Sequence, residues 1–321
     1  MCGAYRHPPL KTVNNQPLEP AHIGLSIAEE YFKAGKIAAE VREKIKSSIN
    51  VGSRVLDIAE MVERSIISRG AQPAFPCNIC INSVAAHYTP LPQDDLRVKD
   101  GDVVKVDFGV QIDGYIVDTA FTLSFNVKYD ALVKAAESML QEALNVIKAG
   151  IRAGEVGRVI HATAQRLGFK PILNLSGHAI APYLVHAGLS IPNTYTAGTP
   201  QLKAGQIYAI EPFATTQKGA GIVVNGPVTN IFSLVARKPV GEPALNRFVD
   251  ELWSRFRTLP FTYRQIKDLG EAGWLERAVK TLLQKRVLRG YPMLVEARNE
   301  FVAQAEHTIT PVENGVIVLT Q

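Results

Sequence analysis

Residues 102–122, DVVKVDFGVQIDGYIVDTAFT, constrain the fold more than any other stretch. Val103, Val104, Val106, Phe108 and Val110 form one β-branched and aromatic run; Ile116, Val117, Thr119, Phe121 and Leu123 form a second. Asp113 and Gly114 between them are a two-residue turn that accepts positive φ at both positions, the chemistry of a tight hairpin. A hairpin closed there sets Gly109 opposite Asp118 and Asp107 opposite Ala120. Side chains alternate between faces, so Asp107 and Asp118 share a face as diagonal neighbours, roughly 5–8 Å apart at Cβ. Two carboxylates on a half-buried apolar face repel each other unless a cation, a shared proton or water intervenes. The hairpin therefore predicts part of a metal site, with the remaining ligands coming from elsewhere in the chain.

The chain of 321 residues is long enough for one large domain or two ordinary ones. Its 46% hydrophobic and 20% charged content is that of a soluble globular protein. No apolar run reaches the roughly 18 residues of a membrane helix. The N-terminal MCGAYRHPPLKTVNNQP has no apolar segment of the secretory type, so a cytoplasmic protein without membrane contact is expected. Cys2, Cys77 and Cys80 do not make a disulfide framework. The net charge of +5 is uneven: residues 231–290 hold 12 Lys and Arg against 6 Asp and Glu, and the rest of the chain is near neutral.

Residues 1–25 read as an irregular arm. Helical spacing of apolar residues predicts helices over 26–48 and 53–68, with Gly70 as a stop, and again over 129–148 and 153–167. Prolines break the segment 73–90, where 79–84 could be a short strand. Its Cys77-Asn78-Ile79-Cys80 reads as two small buried side chains rather than a redox or zinc pair, because no second CxxC exists. Strands are expected within 171–223, one of them over 206–215 with Glu211 near its end and Pro212 next. From about 226 short helices carry the basic residues, and strands resume at 293–296, 301–309 and 315–319. The expected organisation is a domain of 1–225 and 293–321 with a helical subdomain, 226–292, inserted into it.

The candidates are Asp107 and Asp118 on the hairpin, His178 in the mixed loops and strands of 171–223, Glu211 near a strand end and Glu306 on a strand-like run. Four carboxylates and an imidazole suit two divalent ions of intermediate hardness, namely Co, Mn, Fe or Zn, and the charges nearly balance. Taken singly, each acid could equally be a surface or turn residue, and spacing alone does not assemble the five.

The segments AAHYTP at 85–90, KVDFGVQIDGYIVDTAFT at 105–122, SGHAI at 176–180, HAGLSIPN at 186–193, YAIEPFAT at 208–215 and AEHTIT at 305–310 occur in order over most of 27–321. With them the chain resembles the methionine aminopeptidases of the second type, in the short form without a long N-terminal extension. The resemblance implies an α+β pita-bread fold: a curved, mainly antiparallel sheet backed by helices in two pseudo-symmetric halves, with 226–292 as the helical insertion. It implies metal ligands at Asp107, Asp118, His178, Glu211 and Glu306, with Asp118 and Glu306 bridging two ions whose shared hydroxide attacks the scissile carbonyl. Glu211 would also shuttle a proton, and His87 and His186 would position the peptide and stabilise the oxyanion. Phe75, Ile81 and Val185 would line the methionine pocket. The reaction implied is removal of the initiator methionine from peptides and nascent chains when the second residue is small. Met1-Cys2 of the chain itself fits that rule, and the CNIC run would make the pocket sensitive to oxidation. A monomer is expected. The basic 231–290 region admits a transient contact with the ribosome, against the simpler reading of a solvated helical face. Two rivals share the pattern: a prolidase or X-Pro aminopeptidase, which the HAGLSIPN context and the basic insertion disfavour, and an inactive ribosome-binding relative, which the full ligand set disfavours.

Overall fold

The computed structural model describes residues 27–321; the expected N-terminal arm, with Cys2 and the Met1-Cys2 processing site, lies outside the described residues. Two helices, α1 (Glu29–Lys46) and α2 (Val55–Ile67), come first. Tyr31, Ala34, Ala38, Val41 and Ile45 lie on one buried stripe of α1, as their spacing predicts. Four strands follow: β1 (Gln72–Pro73), β2 (Asn78–Ile81), β3 (Val84–Ala86) and β4 (Val103–Ile112). The expected strand over 79–84 is thus two strands, parted where Asn82 takes a φ of 54°.

β5 (Tyr115–Ser124) closes the hairpin with β4. Gly109 pairs with Asp118 and Asp107 with Ala120, the register that the Asp113-Gly114 turn predicts. Helices α3 (Asp130–Val146) and α4 (Ala153–Arg166) come next, then the short strands β6 (Lys170–Pro171), β7 (Ser176–Ile180) and β8 (Ser190–Pro192).

The expected strand over 206–215 is interrupted at Glu211-Pro212. β9 (Ile207–Ile210) and β10 (Phe213–Thr215) belong to different sheets. Pro212 cannot donate to a ladder, which suits the point where the chain leaves one sheet for another. β11 (Val223–Leu234) precedes α5 (Pro243–Phe256), α6 (Tyr263–Ile266) and α7 (Ala272–Gln284), and β12 (Leu288–Glu296) follows them. β11 and β12 pair with each other, so both strands run further into the 226–292 region than its composition suggests. Arg289-Gly290-Tyr291-Pro292, which reads as a helix terminator, is strand. The chain ends with β13 (Val302–Gln304), β14 (Glu306–Val312) and β15 (Gly315–Val318).

Among the described residues every strand pairing is antiparallel. The largest sheet has nine strands. Its main path runs β1-β4-β5-β14-β9-β7-β8, with β2 on β4 and β15 on β14; three-stranded sheets β13-β10-β6 and β11-β12-β3 adjoin it. One core lies between α1, α2 and the hairpin, a second between α3, α4 and the strands around β9 and β14, and a third among α5–α7 and the ends of β11 and β12. The architecture is the α+β pita-bread arrangement.

Helix α1 lies close against the C-terminal end of the chain. A Cβ at Gly35 would sit 2.1 Å from the Leu319 carbonyl oxygen. Helix propensity alone favours alanine over glycine by about 1 kcal/mol, yet here it meets immovable backbone. Gly35→Ala is expected to destabilise the fold by about 1–3 kcal/mol, read as a lower denaturant midpoint at unchanged slope; a gain in stability would contradict the packing described.

Candidate metal centre

The main sheet brings together carboxylates that lie far apart in sequence. Asp107 projects from the middle of β4 and Asp118 from β5, and both line one cavity of about 210 Å³. The β5–β14 contact is short, with Glu306 opposite Ala120 and His307 opposite Thr119. Threonines reinforce it. The Asp118 N–H donates to Thr308 Oγ1 at 2.6 Å, the Thr308 hydroxyl donates back to Asp118 O at 2.7 Å, and the Thr119 hydroxyl donates to Glu306 O at 3.0 Å. Glu306 opens β14 directly after the break at Ala305, and Glu211 stands at the β9–β10 break. The Ala305 N–H donates to Pro212 O at 3.3 Å, so the two breaks lie side by side. Both glutamates thus sit where the large sheet and the β13-β10-β6 sheet part.

His178, in β7, completes the group. Its Nε2 lies 3.7 Å from Asp118 Oδ2 and 3.5 Å from Glu211 Oε1. Ligand atoms of Asp118, His178 and Glu306 all fall within 4.8 Å of one another. Burial pushes all four carboxyls up, Asp107 to about 7, and mutual repulsion adds to the effect at Asp118, Glu211 and Glu306. Burial pushes the His178 imidazole down to about 3, with His186 beside it acting in the same direction. A neutral imidazole among acidic oxygens has the protonation state that metal binding requires.

The fit to a metal ion rests on unmet bonds. Asp107 Oδ1, Asp118 Oδ1 and Glu306 Oε1 are buried without a hydrogen-bond partner. Buried polar atoms are normally paired, and two orphaned carboxylate oxygens on the cavity wall, with a third on Glu306 beside Asp118 and His178, suit cations.

His87 and His186 flank the centre on the cavity side. His87 takes a left-handed backbone with φ 63°. Its Nδ1–H donates to Pro292 O at 3.2 Å, and its ring meets Tyr291 edge-on at 5.9 Å. His186 stands exposed at the mouth, 4.3 Å from the His178 ring. Phe75 and Val185 also line the cavity. A Cβ at Gly109 would lie 2.6 Å from the Phe75 ring, so the glycine opposite Asp118 makes room for that ring. Ile81 is not among the lining residues and packs against the first core instead. Asn78 faces the cavity, and alternation along β2 turns Ile79 and Ile81 the other way. Cys77 and Cys80 are buried free thiols, both pushed up by burial, Cys80 to about 12. That environment makes them inert rather than oxidation-sensitive.

Sequence reasoning missed Asn78, Phe213, Ile231, Pro260 and Tyr291 on the cavity wall. Tyr291 was hidden in a stretch that reads as a helix stop. Asn78 sat inside the CNIC run, where the cysteines drew attention. Ile231 and Pro260 come from the insertion, whose position over the cavity no local pattern encodes.

The model of metallopeptidase family M24 matches residues 29–229. The chain belongs to metallopeptidase family M24. Within the family it is similar to a methionine aminopeptidase of Thermococcus onnurineus, 44% identical over 293 residues that cover 91% of this chain and 99% of the relative. A methionine aminopeptidase of Saccharolobus solfataricus is 43% identical over 290 residues, 90% of this chain and 96% of that protein. Among solved structures, the methionine aminopeptidase of Thermotoga maritima superposes with a TM-score of 0.67 at 24% identity, covering 93% of this chain and 99% of its own. A prolidase from Pyrococcus furiosus shares the fold at a TM-score of 0.57 and 19% identity, covering 91% of this chain and 63% of the prolidase. M24 membership carries divalent-metal binding, in agreement with the carboxylate centre.

The raised carboxyls make the stability of the metal-free protein depend on pH. A carboxyl whose folded pKa is raised stabilises the fold only while protonated, so its contribution is lost as pH rises from the unfolded value through the folded one. Buried neutral histidines oppose this below about pH 6.5, where unfolded histidine gains a proton, and drop out above it. Between about pH 7 and 9 the carboxyls lower stability as pH rises, while Lys105, lowered to about 8 by burial, opposes them and the raised Cys77 and Cys80 thiols add to the fall; the lysine and thiol contributions are common to chelated and metal-loaded protein. The melting temperature of chelated protein should therefore fall across that window, and that of metal-loaded protein should fall far less. Equal slopes in differential scanning fluorimetry would contradict the clustering of acids.

Proposed function

We propose that this chain is a metal-dependent methionyl aminopeptidase that removes the initiator methionine from peptides and nascent chains whose second residue is small. The observation that carries the reading is the convergence of Asp107, Asp118, His178, Glu211 and Glu306, with three unpartnered buried oxygens, in a chain 44% identical to a named methionine aminopeptidase. These five residues would hold two divalent ions, Co, Mn, Fe or Zn. Four carboxylates match the charge of two dications, whereas four uncompensated acids in this buried cluster would repel. Bound metal supplies a water ionised near neutral pH and a Lewis acid toward the scissile carbonyl.

The chain's own residues supply the rest. Glu211 is the least enclosed of the glutamates and its carboxyl is pushed up, which suits a group that takes a proton from water and passes it to the leaving amine. His87 spends its Nδ1 proton on Pro292 O. Its Nε2 is therefore a lone pair and accepts the scissile N–H, and burial, pushing its pKa down to about 4, keeps it neutral. His186, beside His178 at the mouth, donates to the oxygen of the tetrahedral intermediate. Phe75, Val185, Phe213 and Ile231 form an apolar slot fit for an unbranched, polarizable side chain.

Residues 226–292 serve as an inserted helical subdomain of the catalytic domain 1–225 and 293–321; the separate core between Phe232 and Leu288 supports this. Its basic surplus is partly spent. Arg237 pairs with Asp250 and Arg255 with Asp268, while Arg264 is buried on Glu63. This favours a solvated helical face over ribosome docking. Among the described residues no helix is long and apolar enough to cross a membrane. Nascent chains as substrate would put the reaction in the cytoplasm.

Chelated protein should be inactive and regain turnover of Met-Ala-Ser on single-metal add-back. Preference for an Ala-Pro peptide would favour the prolidase reading. His186→Ala should lower kcat by about 10²–10³-fold with metal content unchanged by mass spectrometry. Asp118→Asn should lose metal and activity together; full activity in either variant would refute the assigned role.

A further inference from the structure

One buried cation links the insertion to the catalytic body at the segment that carries His87. Arg264, in α6, has its side chain about 95% enclosed and forms a fork with Glu63 of α2: Nη1 donates to Oε2 at 2.6 Å and Nη2 to Oε1 at 2.9 Å. Its remaining donors do not stay with the acid. Nη2 also donates to Thr89 Oγ1 at 2.9 Å, and Nε donates to Pro90 O at 2.9 Å. Thr89 is fully buried, and its hydroxyl donates onward to Cys77 O at 2.8 Å. Glu63 Oε1 closes the ring by accepting the Cys77 N–H at 3.1 Å. From β11, the Asn230 amide donates to Thr89 O at 3.0 Å.

Thr89 and Pro90 follow His87 by two and three residues. His87 is held at φ 63°, a conformation that a non-glycine residue keeps only when its surroundings over-determine it. Upstream, β3 pins the chain to β12. Downstream, Tyr88 is held by its carbonyl, which accepts the Ile79 N–H at 2.8 Å, and by its hydroxyl on Asp94; Thr89 and Pro90 are held from the insertion by Arg264 and Asn230. We infer that Arg264 is a positioning residue for His87: through Thr89 and Pro90 it locks the strained turn that aims the imidazole at the cavity, and this is what the helical insertion contributes to catalysis. The inference rests on the aminopeptidase reading above. A purely structural role, in which the Glu63–Arg264 pair only glues the insertion to α2, would use the same ion pair without any need for the contacts to Thr89 and Pro90.

The two roles separate experimentally. Arg264→Gln strands the Glu63 charge and should lower both melting temperature and kcat. In the double variant Glu63→Gln/Arg264→Gln the charge is gone, and the amide carbonyl that replaces the carboxylate still accepts the Cys77 N–H. Melting temperature should then return toward that of the unsubstituted protein. The kcat on Met-Ala-Ser should nevertheless stay about 10–100-fold down, with KM changed far less and metal content intact. Arg264→Lys should restore part of it. Thr89→Val, which removes the Nη2–Thr89 contact while leaving the ion pair and the Nε–Pro90 bond whole, should lower kcat in the same direction but by less. In a His87→Ala background Arg264→Gln should cost no further activity, because the two act through one group. Recovery of kcat together with stability in the double variant, unchanged kcat in Thr89→Val, or an undiminished penalty in the His87→Ala background would each overturn the inference. Failure of the unsubstituted, metal-loaded protein to cleave Met-Ala-Ser would instead overturn the activity itself.

Discussion

Four buried carboxyl groups, three on the wall of one small cavity and Glu306 beside them against Asp118 and His178, are the constraint on which the rest of this structure depends. Their repulsion must be overcome by the fold before any ion arrives, and the fold does so with rigid, cross-linked backbone. The hairpin fixes Asp107 and Asp118, and the reciprocal Thr308 bonds fix Asp118 to the strand that carries Glu306. Behind this layer Arg42 of α1 donates to the His307 ring at 3.0 Å, and its positive charge draws the Glu306 carboxyl down against the stronger effect of burial. The ligand set is thus held from beneath by helix and strand and open only toward the cavity.

The parts of this arrangement that were legible in the sequence are those where local chemistry leaves no choice. Asp113-Gly114 allows one register, and that register puts both aspartates on one side. The apolar stripes of α1 to α4 give their helices to within a few residues. The parts that were not legible depend on contacts between distant segments. The breaks at Glu211-Pro212 and Ala305 look like continuous strands locally, because each half has strand composition; only the divergence of two sheets parts them. β12 begins at Leu288 because β11 is there to pair with it, although Arg289-Gly290-Tyr291-Pro292 has the composition of a stop. Ile81 was misplaced by a matter of parity: once Asn78 is known to face the cavity, alternation sends Ile81 to the core.

The site residues divide in the same way. His178, Glu211 and Glu306 could be drawn together only by resemblance to a family, since no spacing rule links positions so far apart. Tyr291, which supports His87, and Arg264, which reaches the turn after it, belong to a segment with the look of a peripheral decoration. Their importance is topological: the insertion leaves and rejoins the body through β11 and β12, and β12 pairs with the strand that leads into His87.

The side-by-side breaks in β9–β10 and β13–β14 carry a mechanical consequence. Two sheets separate there, and one acid marks each seam. Ions gripped by Glu211 and Glu306 would act as rivets through the junction as well as reagents above it, so that occupancy of the centre and the angle between the sheets become a single variable.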